Sequence, residues 1–263
     1  MEPKIEEIEP MSVLDNFWNV KLENYYNQLP IVDRSEARDP QAVAEYAEEI
    51  YEFLKREESG PEYGYMKSQK DINEKMRAIL IDWLIEVHLK FKLLPETLFL
   101  TVNLIDRYLM TTSVERQKLQ LVGVTAMLIA SKYEEIYAPE VRDFVYITDQ
   151  AYSKQDVLAM ELKMLQALDF GITTVSSYRF LERYAKLVKL SSFAFNLSRY
   201  LIEMALIEYR MLKYSPSNLA SSAIYLTLKI MRKEKPWPQI IEKAAKFEEK
   251  EVRPCAKDMC TLL

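Results

Sequence analysis

The chain alternates between stretches whose apolar residues recur every three or four positions and short breaks marked by Gly, Pro or charge. Nowhere does it sustain the every-second-residue alternation of a strand. Residues 1–38 carry Pro3, Pro10 and Pro30 and hold no period, which predicts a flexible lead-in. Its Phe17, Trp18, Tyr25 and Tyr26 are available to pack on the body. From Asp39-Pro40, a good N-cap followed by Pro at the first helical position, a helix is predicted over 39–58. Val43, Tyr46, Ala47, Ile50, Phe53 and Leu54 form its stripe, flanked by Glu45, Glu48, Glu49 and Glu52. After a break at Gly60–Gly64, stripes predict helices over 71–92, 95–110, 115–135, 139–146 and 153–168, where Phe170-Gly171 ends the series. A second series follows over 174–189, 192–212, 217–232, 237–246 and 248–262.

The two series repeat one scheme. Val122–Ala130 lies over Leu219–Thr227 at an offset of 97 residues, and both segments are uncharged with small residues at intervals. A helix apolar nearly all round is a buried one. Each half therefore reads as a small helical domain wrapped around its third helix, over 70–170 and 171–263. Two copies about 100 residues apart do not make a solenoid, whose period is about 20–50. Residues 143–149 (DFVYITD) are β-like in composition but too short to build a sheet. The expected class is all-α.

Composition narrows the chemistry. Only four residues are Gly, where average usage of roughly 7% would give about eighteen. No GxGxxG or GxxxxGK[ST] cradle can be written, which argues against nucleotide chemistry. There is one histidine, His88, and there are two cysteines, Cys255 and Cys260. Three scattered residues cannot make a zinc cluster, so no cofactor is expected. A catalytic triad would have to run through His88, which sits in a helical pattern and reads as a partly exposed helix residue. The cysteines read as reduced thiols.

Net charge is −5, spread unevenly: −9 over residues 1–60 and +4 over 61–263. Neither part shows the clustered Lys/Arg of a nucleic-acid binder, and no basic cluster marks nuclear import. The longest uncharged stretch, between Lys213 and Lys229, is 15 residues, short of the ~18–20 of a spanning helix. The acidic MEPKIEEIEP start is unlike a signal peptide. Neither nucleic acid nor membrane is expected as a partner, and the expected localisation is nucleus and cytoplasm.

Several motifs then occur in order. Met76–Leu84 (MRAILIDWL), Leu104–Leu109 (LIDRYL) and Ala130–Tyr137 (ASKYEEIY) resemble the signatures of a cyclin box, extended by Pro139-Glu140-Val141 and Met160-Glu161-Leu162. The resemblance is to mitotic cyclins of the A/B type and covers roughly residues 40–263. Phe180–Lys186 leans towards the B type. It implies two tandem five-helix cyclin boxes after an N-terminal helix, the helix count reached above. It also implies a regulatory subunit of a cyclin-dependent kinase, forming a heterodimer, activating the kinase allosterically and acting at G2/M without an active site of its own.

Lys132 closes the third helix and Glu161 lies in the fifth. Side by side they could hold a partner's backbone through charge-assisted hydrogen bonds, or simply pair with each other. The resemblance implies that they grip the kinase, with Tyr133, Glu134, Ile136, Leu165, Phe170 and Ile172 around them and Tyr46 and Ile50 of the N-terminal helix adding a contact. Ordinary core packing is the alternative for Leu165, Tyr133 and Phe170. Met76, Ile79 and Trp83 share one helical ridge, which is either an exposed docking patch or ordinary core packing. The resemblance makes them a docking groove for Arg-x-Leu peptides on substrates or inhibitors, with Glu86 and Gln120 polar and Arg116 and Leu119 at the rim. Arg77 with Asp106 reads as an internal ion pair fixing the first helix to the second.

The Arg-x-x-Leu strings at Arg77–Leu80 and Arg116–Leu119 fall within predicted helices, so they do not read as degradation signals. Either the chain is part of a longer protein or its turnover signal differs. The rival readings are a cyclin-fold adaptor of the transcription machinery, which would need a basic face, and an all-helical enzyme, which would need a usable site.

Overall fold

In the computed structural model, Lys21, Glu23, Asn27 and residues 29–263 are described. Pro3, Pro10, Phe17, Trp18, Tyr25 and Tyr26 lie outside the described residues. Eleven α-helices and five short 3₁₀ turns form among the described residues, with no strand. The chain divides into two compact units, residues 1–56 and 57–263.

In the first unit a helix, α1 (Ala47–Glu57), starts later than the Asp39-Pro40 signal implies. The Asp39 carboxylate instead accepts from the Gln41 N–H at 2.9 Å, closing a local turn. Val43 then takes a left-handed conformation (φ 45°), and a 3₁₀ turn over Ala44–Tyr46 leads into the helix. A β-branched residue at positive φ cannot sit inside an α-helix.

The second unit holds two sets of five helices. The first set is α2 (Glu74–Phe91), α3 (Pro95–Thr111), α4 (Leu119–Glu134), α5 (Val141–Ile147) and α6 (Lys154–Ala167). The second is α7 (Ser177–Leu187), α8 (Ser192–Ile207), α9 (Pro216–Ile230), α10 (Gln239–Ala245) and α11 (Glu249–Cys260). Local chemistry sets the ends. The Asn73 side chain accepts from Met76 N–H to cap α2. Ser153 and Asp156 form a reciprocal capping box that starts α6. Ser176, Ser191 and Ser215 cap α7, α8 and α9.

Two boundaries differ from the periodicity. Residues 116–118 form a 3₁₀ turn ahead of α4, and Tyr209–Lys213 form another after α8, so the stretch expected over 192–212 breaks at Glu208. The β-like 143–149 segment lies mostly in α5, started by a Glu140/Asp143 capping box.

α4 packs against α2, α3, α5 and α6, and α9 packs against α7, α8, α10 and α11. The two hubs start 97 residues apart, as the repeat implies. In α4 every residue from Leu121 to Ser131 is buried. A Cβ on Gly123 would meet Leu80 Cδ1 at 2.8 Å and Leu84 Cδ1 at 3.1 Å, so glycine here lets α4 approach α2.

Three single residues depart from expectation or complete it. His88 is buried, 3% exposed. Its Nε2 lies 2.9 Å from the Leu94 carbonyl across the sharp link from α2 to α3, where Lys92 takes φ 56°. That contact draws the ring inward, whereas the helical pattern alone leaves it half out. Both cysteines are free thiols, Cys255 buried and Cys260 exposed. Burial pushes the Cys255 thiol up to about 12, and only thiolate reacts. A thiol reagent at pH 8 should therefore label one cysteine in the native chain and two in denaturant, read by intact mass. Two rapid native labels would show that α11 opens readily.

Candidate functional site

α4 ends where Glu135 turns extended. The Glu135 carboxylate reaches back to the start of α3, accepting from Leu94 N–H at 2.7 Å and from Thr97 Oγ1–H at 2.5 Å. An anion at a helix N-terminus is favourable, so Glu135 pins the α4 exit and leaves the residues before it projecting. Lys132 donates from Nζ to both oxygens of Glu161 on α6, at 2.8 and 3.0 Å. The Lys132 side chain is 48% exposed and that of Glu161 15%. The pair is thus formed within the chain while its lysine still faces solvent.

Apolar residues flank this pair along the chain, at the exit of α4 and on and just after α6. Tyr133 is half exposed, and its hydroxyl lies 2.7 Å from Thr173 Oγ1, which ties α4 to the segment after α6. Ile136 is 89% exposed. Phe170 is exposed in a left-handed conformation (φ 55°), with its N–H donating to the Leu165 carbonyl. A bulky residue at positive φ is a strained arrangement. Leu165 and Ile172 are half-buried against the core. Glu134 is partly buried. Burial first, then the nearby Glu96 charge, raise its carboxyl above the usual range. Sequence reasoning missed the exposed Leu158 and Leu162 of α6, although their stripe around Glu161 was legible. In the first unit Tyr46 and Ile50 are exposed as one face, and Phe53 continues it one turn on.

On α2, Ile79 is 60% exposed, Met76 and Trp83 are half-buried against the core, and Glu86 is exposed. Arg116 is exposed and Gln120 half-buried at the start of α4, one turn before Gly123 brings that helix onto α2. Leu119 does not line a rim: it is buried in the core cluster, because the 3₁₀ turn over 116–118 rotates it inward.

Arg77 and Asp106 form a buried bidentate pair, Nε to Oδ1 at 2.6 Å and Nη2 to Oδ2 at 2.7 Å. The pair does more than join α2 to α3. Arg77 Nη1 also donates to the Leu206 and Ile207 carbonyls, both at 3.1 Å, at the C-terminal end of α8. Tyr65 donates its hydroxyl to Asp106 at 2.6 Å. Tyr209 lies under the guanidinium and accepts from the N–H groups of Gly64 and Met66 at 2.9 and 3.0 Å. Burial, then the Asp106 charge, push the Tyr65 phenol far above its ordinary range. Burial alone would lower Arg77, and the Asp106 charge more than reverses that. Tyr65 and Tyr209 carried no sequence signal, since their partner is 41 to 145 residues away.

Among the described residues, no three His, Cys, Asp or Glu side chains gather as a metal site, and no helix is long and apolar enough to cross a membrane.

Comparison with known proteins places the chain among relatives. The family "Cyclin, N-terminal domain" matches residues 49–173 and "Cyclin, C-terminal domain" matches 175–263. The chain is 45% identical to Cyclin-B2-2 of Oryza sativa subsp. indica, over 92% of this chain and 58% of that one. It is 47% identical to G2/mitotic-specific cyclin-1 of Medicago sativa subsp. varia, over 87% and 54%. It is 41% identical to G2/mitotic-specific cyclin-B of Dictyostelium discoideum, over 87% and 53%. The chain thus spans between half and three fifths of these relatives' length. Among solved structures, a viral cyclin from Herpesvirus saimiri shares the fold with a TM-score of 0.72 at 19% identity, covering 82% of this chain and 97% of that one.

Proposed function

Since the chain belongs to the cyclin family, with the N- and C-terminal domains in order, we propose that it is a regulatory subunit that binds and activates a cyclin-dependent protein kinase at G2/M. The observation that carries this reading is the Lys132–Glu161 pair, its lysine facing solvent, together with the exposed Tyr133, Ile136 and Phe170 near it in sequence. Interfaces favour aromatic anchors around a few charged groups. Lys132 keeps one donor to spare after its two bonds to Glu161, so a partner's backbone carbonyl can join the pair without breaking it. Tyr46 and Ile50, exposed in the first unit, offer the kinase a further contact. The chemistry is allosteric: binding selects the kinase conformation in which its own Lys–Glu ion pair and activation loop are in place. The mitotic names of the relatives support the phase, and the subunit acts in nucleus and cytoplasm.

Phosphate transfer measured with the chain, a cyclin-dependent kinase, and both together tests this reading. The chain alone should be inactive and the mixture faster than the kinase alone by orders of magnitude. Activity in the chain alone, or no stimulation across a panel of such kinases, would overturn the proposal.

Met76, Ile79, Trp83 and Glu86 form the substrate-docking part of the same reading. An Arg-x-Leu peptide would place its Leu on the ridge and its Arg near Glu86. Burying one Leu contributes about 1.5–3 kcal/mol, so docking tethers substrates more than it holds them. Met76→Ala with Glu86→Ala should leave kcat/KM on a motif-free peptide unchanged and lower it roughly tenfold or more on a motif-bearing substrate. Equal losses on both would place the ridge in the core or the kinase interface.

A further inference from the structure

Arg107 follows Asp106 on α3, in the same Leu104–Leu109 motif, yet the fold uses the two side chains differently. Asp106 is buried in the network around Arg77. Arg107 is half-buried, and its side chain makes no hydrogen bond or ion pair with any of the described residues. Burial alone acts on its pKa and lowers it; no neighbouring carboxylate raises it back, as Asp106 does for Arg77. The guanidinium still carries its charge, and a half-buried charge without a partner is unfavourable. Its nitrogens nevertheless stay open to solvent, so its donors can be reached from outside. The exit of α6 shows where this side chain ends. α3 packs on α6, and a Cβ on Gly171 would stand 3.4 Å from Arg107 Nη2. The guanidinium therefore lies beside Gly171, one residue past the exposed Phe170. Asp169, two residues before Gly171, is exposed and pairs with no cation among the described residues.

We propose that Arg107 is a further contact residue of the kinase-binding surface, its guanidinium receiving a carboxylate side chain of the bound kinase. This rests on the kinase reading above, in which Phe170 belongs to the docking surface. A partner that covers Phe170 comes within reach of the neighbouring guanidinium and takes away its remaining water. That loss is strongly unfavourable unless the partner supplies a counter-charge. The planar fork of Arg presents parallel N–H donors, the geometry that a carboxylate accepts with both oxygens. A backbone carbonyl would accept from the guanidinium and leave its charge unmatched. The charge therefore contributes to affinity and not to folding: it stands unmatched in the free chain and is matched in the complex.

The test uses the full chain and the cyclin-dependent kinase that it stimulates most. Arg107→Met removes the charge and keeps an unbranched side chain. Its Tm should equal or exceed that of the parent, while its Kd for the kinase, by calorimetric titration, should rise at least tenfold. Arg107→Lys keeps the charge without the fork and should lose less. In the complex of that variant, a carbodiimide should join the introduced amine to an Asp or Glu of the kinase, read as a cross-linked peptide by mass spectrometry. If the parent binds and Arg107→Met binds within twofold of it, the proposal falls and the kinase reading stands. If the parent binds no kinase of the panel, both fall. An unfolded or clearly less stable Arg107→Met would show that the charge serves the fold and would overturn the proposal. So would a cross-link to Asp169 of the chain itself, or none to the kinase.

Discussion

Replacing Arg77 by Ala should destabilise residues 57–263 by about 3–5 kcal/mol, the usual cost of breaking a buried ion pair from one side. For a domain of this size that lowers Tm by roughly 6–20 °C. The reason lies in what remains. Asp106 is 1% exposed and is left with only the Tyr65 hydroxyl beside it. The Leu206 and Ile207 carbonyls lose a shared donor. Arg77→Met with Asp106→Leu removes both charges and should cost less than Arg77→Ala alone, since apolar replacements of buried pairs are often tolerated. Thermal unfolding of the three proteins checks this. If Arg77→Ala moves Tm by under about 3 °C, or if the double variant is the least stable, the network does not hold the junction as described.

Lys132→Ala with Glu161→Ala should have the opposite profile, little change in stability and a large loss of kinase binding. Lys132 is half exposed, and solvent-facing pairs contribute about 0–1 kcal/mol, so Tm should move by no more than a few degrees. At an interface, truncating a hydrogen-bonded charge that becomes buried costs about 2–5 kcal/mol, roughly 30-fold to several thousand-fold in Kd. Calorimetric titration with the kinase and a melting curve of the free variant separate the two. Binding within threefold of the parent would mean that the pair serves only the chain itself, and an unfolded variant would say the same.

Much of this architecture was legible because it depends on local periodicity. The uncharged hubs around Val122–Ala130 and Leu219–Thr227 announce burial through composition alone, and α4 and α9 occupy those positions. Arg77 and Asp106 were legible as a pair because α2 and α3 are neighbours in sequence. The misses are of a different physical kind. The start of α1 turned on a strained Val43, which no stripe records. Leu119 was placed on a rim by the resemblance alone, and the structure buries it in the core where the 116–118 turn meets α4. His88 and Tyr209 owe their places to single hydrogen bonds across a corner or across the molecule. Lys132 and Glu161 were legible as a motif, yet their pairing within the free chain is a fact of geometry.

The reach of Arg77 to Ile207 also bears on how the chain is made. The two residues lie 130 positions apart, and ribosomes extend chains at about 5–20 residues per second. The acceptors for Arg77 therefore emerge roughly 7–26 seconds after it does. During that interval the first five helices can assemble around α4, but Arg77 Nη1 has only water for a partner. The nascent first half must stay open at that face until α8 leaves the ribosomal tunnel. A stop codon or a stall before residue 207 would strand a half-finished product with a wet charged seam, a form that quality-control proteases can tell apart from the completed chain.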